Sequence, residues 1–272
     1  VYKYFWNGSE KIQSAWCRWH MAGEVSGLVM LDADLYLVMR YPGDGMYLEK
    51  MRCAPGHKDD GEAFEYCLDR KVTERDITIG AWNPVTRTTT VTLPYAVPEG
   101  VTPLIVTRSA GGAGVTPGRL LPQTARSADG RSFTIRADLR NAAVPLFAGL
   151  PFTSFYTFST LAVREDGGKG NAVTAGRLQL RHLTLNCVDT GMLRMHVTPS
   201  FRPTSTYTFT GREMGHGTNI LGETPLYTGV IKCPVLSVNT QVTLAVSSDS
   251  FLPFSLVNAG WEGFYTSRSQ RV

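Results

Sequence analysis

Apolar and polar residues alternate along most of this chain. Phe64, Tyr66 and Leu68 are separated by Glu65, Cys67 and Asp69. Arg177 to Leu185 alternates as well: Leu178, Leu180, His182 and Thr184 share one side, with Arg177, Gln179, Arg181 and Leu183 on the other. Successive side chains of a strand point to opposite faces, so a period of two predicts strands with one buried face. Thr88 to Leu93, Phe133 to Arg136, Tyr207 to Thr210, Val230 to Cys233 and Val242 to Val246 are short segments of the same kind. Asp34 to Arg40 is a mostly apolar run closed by the turn Pro42-Gly43-Asp44-Gly45, and Asp129-Gly130 makes a second turn. Strand-like segments recur roughly every 8 to 15 residues with turn residues between them. No helical period persists over about 11 residues. The pattern predicts an all-β protein built as sandwiches, barrels or propeller blades.

Composition narrows the class. The chain has 272 residues, 43% hydrophobic and 18% charged, with a net charge of +4. That apolar content and small net charge exclude disorder, and the length allows one large or several small cores. The apolar stretches Leu28 to Leu31 and Leu35 to Met39 fall far short of the roughly 20 residues a bilayer-spanning helix needs. The five cysteines, Cys17, Cys53, Cys67, Cys187 and Cys233, form no Cys-x-x-Cys pair. Free thiols in a reducing compartment are expected, with no zinc ribbon. The opening Val1-Tyr2-Lys3-Tyr4-Phe5-Trp6 has no initiator Met and looks like mid-strand. The chain therefore reads as the C-terminal piece of something longer, ending in a polar tail, Ser267 to Val272.

Three properties change in one place. Threonine is absent before residue 73 and then occurs 29 times; four of the five tryptophans precede residue 83. Residues 1–80 carry 10 Lys+Arg and 13 Asp+Glu, whereas residues 81–272 carry 17 and 10, with 15 of the 17 being Arg. A boundary near 75–82 is expected, and a second near Ala148-Gly149-Leu150-Pro151. The resulting division is 1–80, 81–148 and 149–272. Ser109 to Gly114 reads as a linker and Asp166 to Asn171 as a hairpin tip; the latter lacks the order of a phosphate-binding loop. No three basic residues are consecutive, so the arginines read as scattered over solvated faces.

Candidate chemistry is sparse. The histidines His20, His57, His182, His196 and His216 make no metal-binding pair, although His182 and His196 sit on separate strands that could meet. No Gly-x-Ser-x-Gly elbow occurs. Asp32 with Asp34, and Asp59-Asp60 with Glu62, are the available paired carboxylates for glycoside hydrolysis. They read more simply as turn and strand-end residues.

Several segments together resemble the tail tubular protein B, or nozzle, family of short-tailed autographiviruses. They are Tyr4 to Trp16, Asp34-Leu35-Tyr36 with Arg40, Leu48-Glu49, Phe64 to Val72, Gly149 to Ser154, Asp249 to Pro253 and Trp261 to Tyr265. Residues 95–148 carry no matching motif. The resemblance implies a propeller-like blade region over 1–80, a small β domain over 81–148 and a β-sandwich-like domain over 149–272. It implies a virion tail protein, assembled in the host cytoplasm as a ring of six. Such a ring contacts the tail adaptor, the tail fibres and, at the tip, the host envelope. It continues the DNA-ejection channel and retains the genome until ejection, passing DNA without gripping it. No catalytic residue, cofactor or metal is implied. Most arginines are expected outside the channel or paired with acids. Trp6, Trp16, Trp19 and Trp261 are the candidate subunit contacts, core packing being the simpler reading of the first three. The competing readings are a β-rich glycan hydrolase using Asp32, Asp34 or Glu62, and a glycan- or protein-binding module marked by exposed aromatics on a sandwich face.

Overall fold

A computed structural model describes residues 2–32, 34–51, 58–59, 61–108, 116–140, 145–165, 170–173, 175–212, 215, 220 and 223–267, with 2–7 and 10–15 given by backbone alone. The protein is all-β, and every strand pairing among the described residues is antiparallel. The chain forms two compact units, Val1–Pro55 and Gly56–Val272.

In the first unit, β1 (Tyr2–Asn7) and β2 (Glu10–Trp16) form a hairpin turned at Gly8. β3 (Glu24–Leu31), β4 (Asp34–Tyr41) and β5 (Gly45–Met51) form a meander. The β4–β5 turn is the predicted Pro-Gly-Asp-Gly, with Gly43 and Gly45 at φ of +79° and +113°. Only glycine adopts such values freely. Leu37, Met39 and Tyr41 are buried on one face of β4, packed by Met21, Leu35, Tyr47 and Met51. The Tyr41 hydroxyl donates to Glu49 at 2.8 Å, which satisfies the polar end of a buried ring.

The second unit begins with Phe64, Tyr66 and Leu68, all buried as their alternation predicts. Its first half holds β6 (Asp69–Thr73), β7 (Thr78–Ile79), β8 (Thr89–Thr92), β9 (Leu104–Thr107), β10 (Gln123–Arg126), β11 (Ser132–Ile135) and β12 (Leu146–Leu150). They form the sheets β10-β11-β8-β7 and β6-β12-β9. All five residues of β12 are buried, so this strand is covered on both faces. At Gly149 a Cβ would lie 2.9 Å from both the Asp69 carbonyl oxygen and the Leu68 Cβ. The compositional steps near 75–82 and 148 both fall inside this unit. β6 precedes the first step, and its partner β12 spans the second.

The second half contains β13 (Ser154–Thr157), β14 (Gly176–Thr190), β15 (Leu193–Pro199), β16 (Ser205–Phe209), β17 (Tyr227–Val238), β18 (Val242–Ser248) and β19 (Leu256–Ser267). Two sheets, β13-β18-β15-β16 and β17-β14-β19, face each other as a sandwich. Their shared core includes Leu180, Leu183, Leu185 and Cys187 from β14, Met195 and Val197 from β15, Cys233 from β17 and Val246 from β18. Each such buried aliphatic side chain contributes about 1.5–3 kcal/mol relative to leaving it in water. The halves are tied together by Phe64, Tyr66, Phe147 and Phe251. Phe64 and Tyr66 stack at 4.5 Å, and the Cys67 N–H donates to the Phe251 carbonyl at 2.7 Å.

The alternation along β14 is not continuous. Leu178 and Leu180 point into the core as expected, but so do Leu183 and Leu185, while His182 and Thr184 point out. The register shifts between Leu180 and His182 against both neighbours. Arg181 is an extra residue relative to β19, a bulge that reverses the parity from His182 to Cys187. Opposite it on β17, Leu236 adopts φ of +49° and is exposed. Burial decided the matter: a strict period of two would leave Leu183 and Leu185 in water.

Cys67, Cys187 and Cys233 are free thiols. Burial pushes the Cys67 thiol up to about 12 and that of Cys233 up to about 11, so both stay protonated and inert. Cys53, His57, Asp60 and His216, the loop residues 109–114 and residues 166–169 of the expected hairpin tip lie outside the described residues.

Two substitutions test this packing by thermal and urea unfolding. Leu185→Ala is expected to destabilise by about 2–5 kcal/mol, and Thr184→Ala by under about 1 kcal/mol. Equal losses would contradict the bulged register. Gly149→Ala is expected to cost about 1–3 kcal/mol because backbone must move to admit the methyl group.

Candidate interaction surfaces

The carboxylates available for catalysis do not assemble into a site. Asp32 occupies the β3–β4 turn at φ of +54° and is exposed. Asp34 is ion-paired with Lys50 across the β4–β5 ladder. The Glu62 side chain is fully buried, 3.5 Å from Arg108. An indentation lined by Gly100, Gln123, Arg126 and Phe133, about 270 Å³ in volume, lies just below the roughly 300–1,000 Å³ of ordinary ligand sites. Among the described residues no group of three His, Cys, Asp or Glu side chains is placed to hold a metal. His182 and His196 do not meet. They lie on the outer faces of the two facing sheets, with the core between them.

Arg108 is the centre of a buried charge network. It donates to both oxygens of Glu74, from Nε at 2.9 Å and from an Nη at 2.6 Å. The Leu146 N–H donates to the same carboxylate at 3.1 Å, so Glu74 fastens β6's end to β12. The guanidinium lies 5.1 Å from the centre of the Phe147 ring, and Lys71, paired with Asp59, lies 5.0 Å from it. Burial by itself raises the Glu74 carboxyl. The Arg108 guanidinium and the backbone N–H groups of Glu74 and Leu146 outweigh it and hold the group below its ordinary value. The Arg108 guanidinium is raised, chiefly by its bonds to Glu74. Burial dominates at Asp69 and pushes that carboxyl up.

Other arginines also serve the fold. Arg140 pairs with Asp138 and Arg194 with Asp249, each at 2.6 Å. Arg126 donates to the carbonyls of Val97, Pro98 and Val101, and Arg131 to that of Pro94. Arg181 lies over the Phe264 ring. The Arg-rich composition is thus partly consumed in holding loops.

The prominent apolar surface lies on the β3–β4–β5 sheet. Val29, Leu31, Met46 and Leu48 share the face opposite Leu37 and Met39, and all four are exposed, Leu48 at 69%. On the other face of the edge strand β3, Val25, Leu28 and Met30 are exposed too. An edge strand with apolar residues open on both faces is a template for association. The tryptophans are distributed differently from one another. Trp16 ends β2 at 81% exposure and Trp19 follows it at 42%. Trp261 sits half-buried on β19 against the sandwich core, opposite Leu183. Trp6 lies on β1 and its side chain is outside the described residues. The exposed residues of β3 and β5 were missed by sequence reasoning; a run of apolar residues in an edge strand was the available signal.

Comparison with known proteins shows the family of the chain. The family model for the bacteriophage nozzle protein matches residues 1–272. The chain belongs to the bacteriophage nozzle protein family. It is a structural component of a phage tail. It is similar to tail tubular protein gp12 of Escherichia phage T7, with 25% identity over 279 residues, covering 100% of this chain and 34% of that protein. The chain thus spans about a third of the relative it matches.

Glu74 supplies a pH test. Its folded pKa is depressed, so its stabilising contribution is present above the unfolded carboxylate value and is lost as pH falls through the folded one. The urea midpoint is expected to fall with acidification below about pH 4.5, and to fall less steeply in Glu74→Gln. Arg108→Ala leaves two buried carboxylates without their cation and is expected to cost about 3 kcal/mol near neutral pH. A loss below about 1 kcal/mol, typical of an exposed pair, would contradict the network.

Proposed function

We propose that this chain forms part of the wall of a nozzle ring of six copies, which continues the DNA-ejection channel and retains the genome until ejection. The observation that carries the reading is the family match over the whole chain. The exposed apolar faces of the β3–β4–β5 sheet support it, because a subunit in a closed heterologous ring buries two different patches against its neighbours. Trp16 and Trp19 extend the exposed surface of the same unit and are proposed contacts. Trp261, held against the core, is a weaker anchor than the sequence suggests.

The scattered arginines suit a passage that does not grip. Phosphate contacts dominate affinity for nucleic acid, and several of these guanidiniums are already bound to carboxylates or carbonyls. In this reading the whole protein contacts the tail adaptor and fibres, assembles in the host cytoplasm and reaches the host envelope at the tail tip. The hydrolase reading is not favoured: Asp34 and Glu62 are tied to Lys50 and Arg108, and Asp32 stands in a turn.

Electron microscopy of intact tails and sedimentation of the full-length protein with its adaptor test the proposal. Sixfold rings are expected, and Leu28→Arg with Leu48→Arg is expected to shift the protein to monomers while leaving its unfolding midpoint unchanged. A full-length protein that stays monomeric with its adaptor present would overturn the ring. Rings that survive the double substitution would remove this sheet from the interface.

A further inference from the structure

The outer face of the β13-β18-β15-β16 sheet differs in chemistry from the apolar β3–β4–β5 faces. Register places Phe155, Arg194, His196, Thr206 and Ser247 on this one face, opposite Met195, Val197 and Val246, which enter the core. The His196 ring is fixed from both sides: Nε2 lies 2.7 Å from the Ser247 hydroxyl and Nδ1 lies 3.2 Å from that of Thr206. Phe155 stands beside it with ring centres 6.3 Å apart, and is 63% exposed. Arg194 pairs with Asp249 at 2.6 Å, and both remain partly open to solvent. Ser247 is buried beneath the rings, so the face is a platform of fixed groups rather than a set of free side chains.

We propose that this face binds a neutral oligosaccharide, in addition to the structural role of the chain. An exposed aromatic ring held on a rigid sheet offers a flat apolar surface for the C–H face of a sugar. The carboxylate of Asp249 accepts from, and the guanidinium of Arg194 donates to, adjacent hydroxyls, while the threonine and imidazole groups add donors and acceptors beside the ring. Charge selects among occupants. Arg194 and Asp249 cancel, so the face lacks the excess positive charge that a phosphate backbone or an acidic polymer requires. A second copy of the chain is a poorer fit. Phe155 is the large apolar residue here, and protein interfaces are depleted in serine and built around several apolar anchors. The apolar β3–β4–β5 face meets that description and this one does not.

A Ser–His hydrogen bond also raises the question of a nucleophile. Here the second imidazole nitrogen faces a threonine hydroxyl rather than a carboxylate, so the arrangement favours binding over turnover.

The test is binding of the intact chain to an array of neutral and acidic oligosaccharides, repeated at low and high salt. Binding to at least one neutral glycan is expected, changing less than twofold between about 50 and 300 mM salt. Phe155→Ala and Asp249→Asn are each expected to weaken it at least tenfold with an unchanged unfolding midpoint, and Phe155→Tyr is expected to retain it. Absence of binding to any neutral glycan would overturn the proposal. So would binding confined to acidic glycans, or neutral binding indifferent to Phe155→Ala. Ring assembly of the full-length Phe155→Ala protein, read separately, is expected to be normal; its loss would make this face a subunit contact instead. The ring reading stands or falls on its own experiment.

Discussion

A β-sheet has two faces, and the backbone's period of two commits every strand residue to one or the other. That constraint organises this molecule. In the C-terminal sandwich, two sheets each turn one face inward, and Leu180, Leu183, Leu185, Met195, Val197 and Val246 fill the space between. The faces that point away are left to do something else. Where the strand path drifts from strict alternation, a bulge at Arg181 restores burial and leaves His182 outside. The core therefore dictates the register, and the register dictates which chemistry reaches the surface.

The outward faces are not alike. On the β3–β4–β5 sheet they carry Val29, Leu31, Met46 and Leu48, exposed apolar residues interspersed with Arg40 and the Asp34–Lys50 pair. On the β13-β18-β15-β16 sheet they carry hydroxyls, an imidazole, one aromatic ring and a matched ion pair. The first composition favours contact with protein and the second favours a hydroxylated ligand. Charge does a third kind of work inside the fold: Glu74 binds the β12 backbone and Arg108, and Arg108 lies against Glu62, so a carboxylate that looked catalytic in isolation is a structural counter-ion.

The strands were legible because Thr/Val-rich and alternating segments such as Thr88–Leu93 and Val242–Val246 have little alternative. The turns at Pro42–Gly45 and Asp129-Gly130 were legible because glycine at positive φ is a local requirement. The parity of β14 after Leu180 was not, since an inserted residue looks like any other in a sequence. The fate of the tryptophans was also hidden. Trp16 and Trp261 are chemically identical, yet one ends an exposed hairpin and the other rests on Leu183's sheet. The His196–Ser247 contact joins residues 51 apart in sequence, a separation that no local pattern encodes.

By itself the sequence determined the class of the protein: all-β, with little helix and segments that resemble phage nozzle proteins. Those properties follow from composition and from spacing over a few residues, where local propensity acts. Only the tertiary structure decided which face of each strand is buried, which carboxylates are neutralised by arginine and which side chains gather on a surface. Those outcomes depend on pairing between strands distant in the chain, and burial energy selects that pairing only when the whole sheet is assembled.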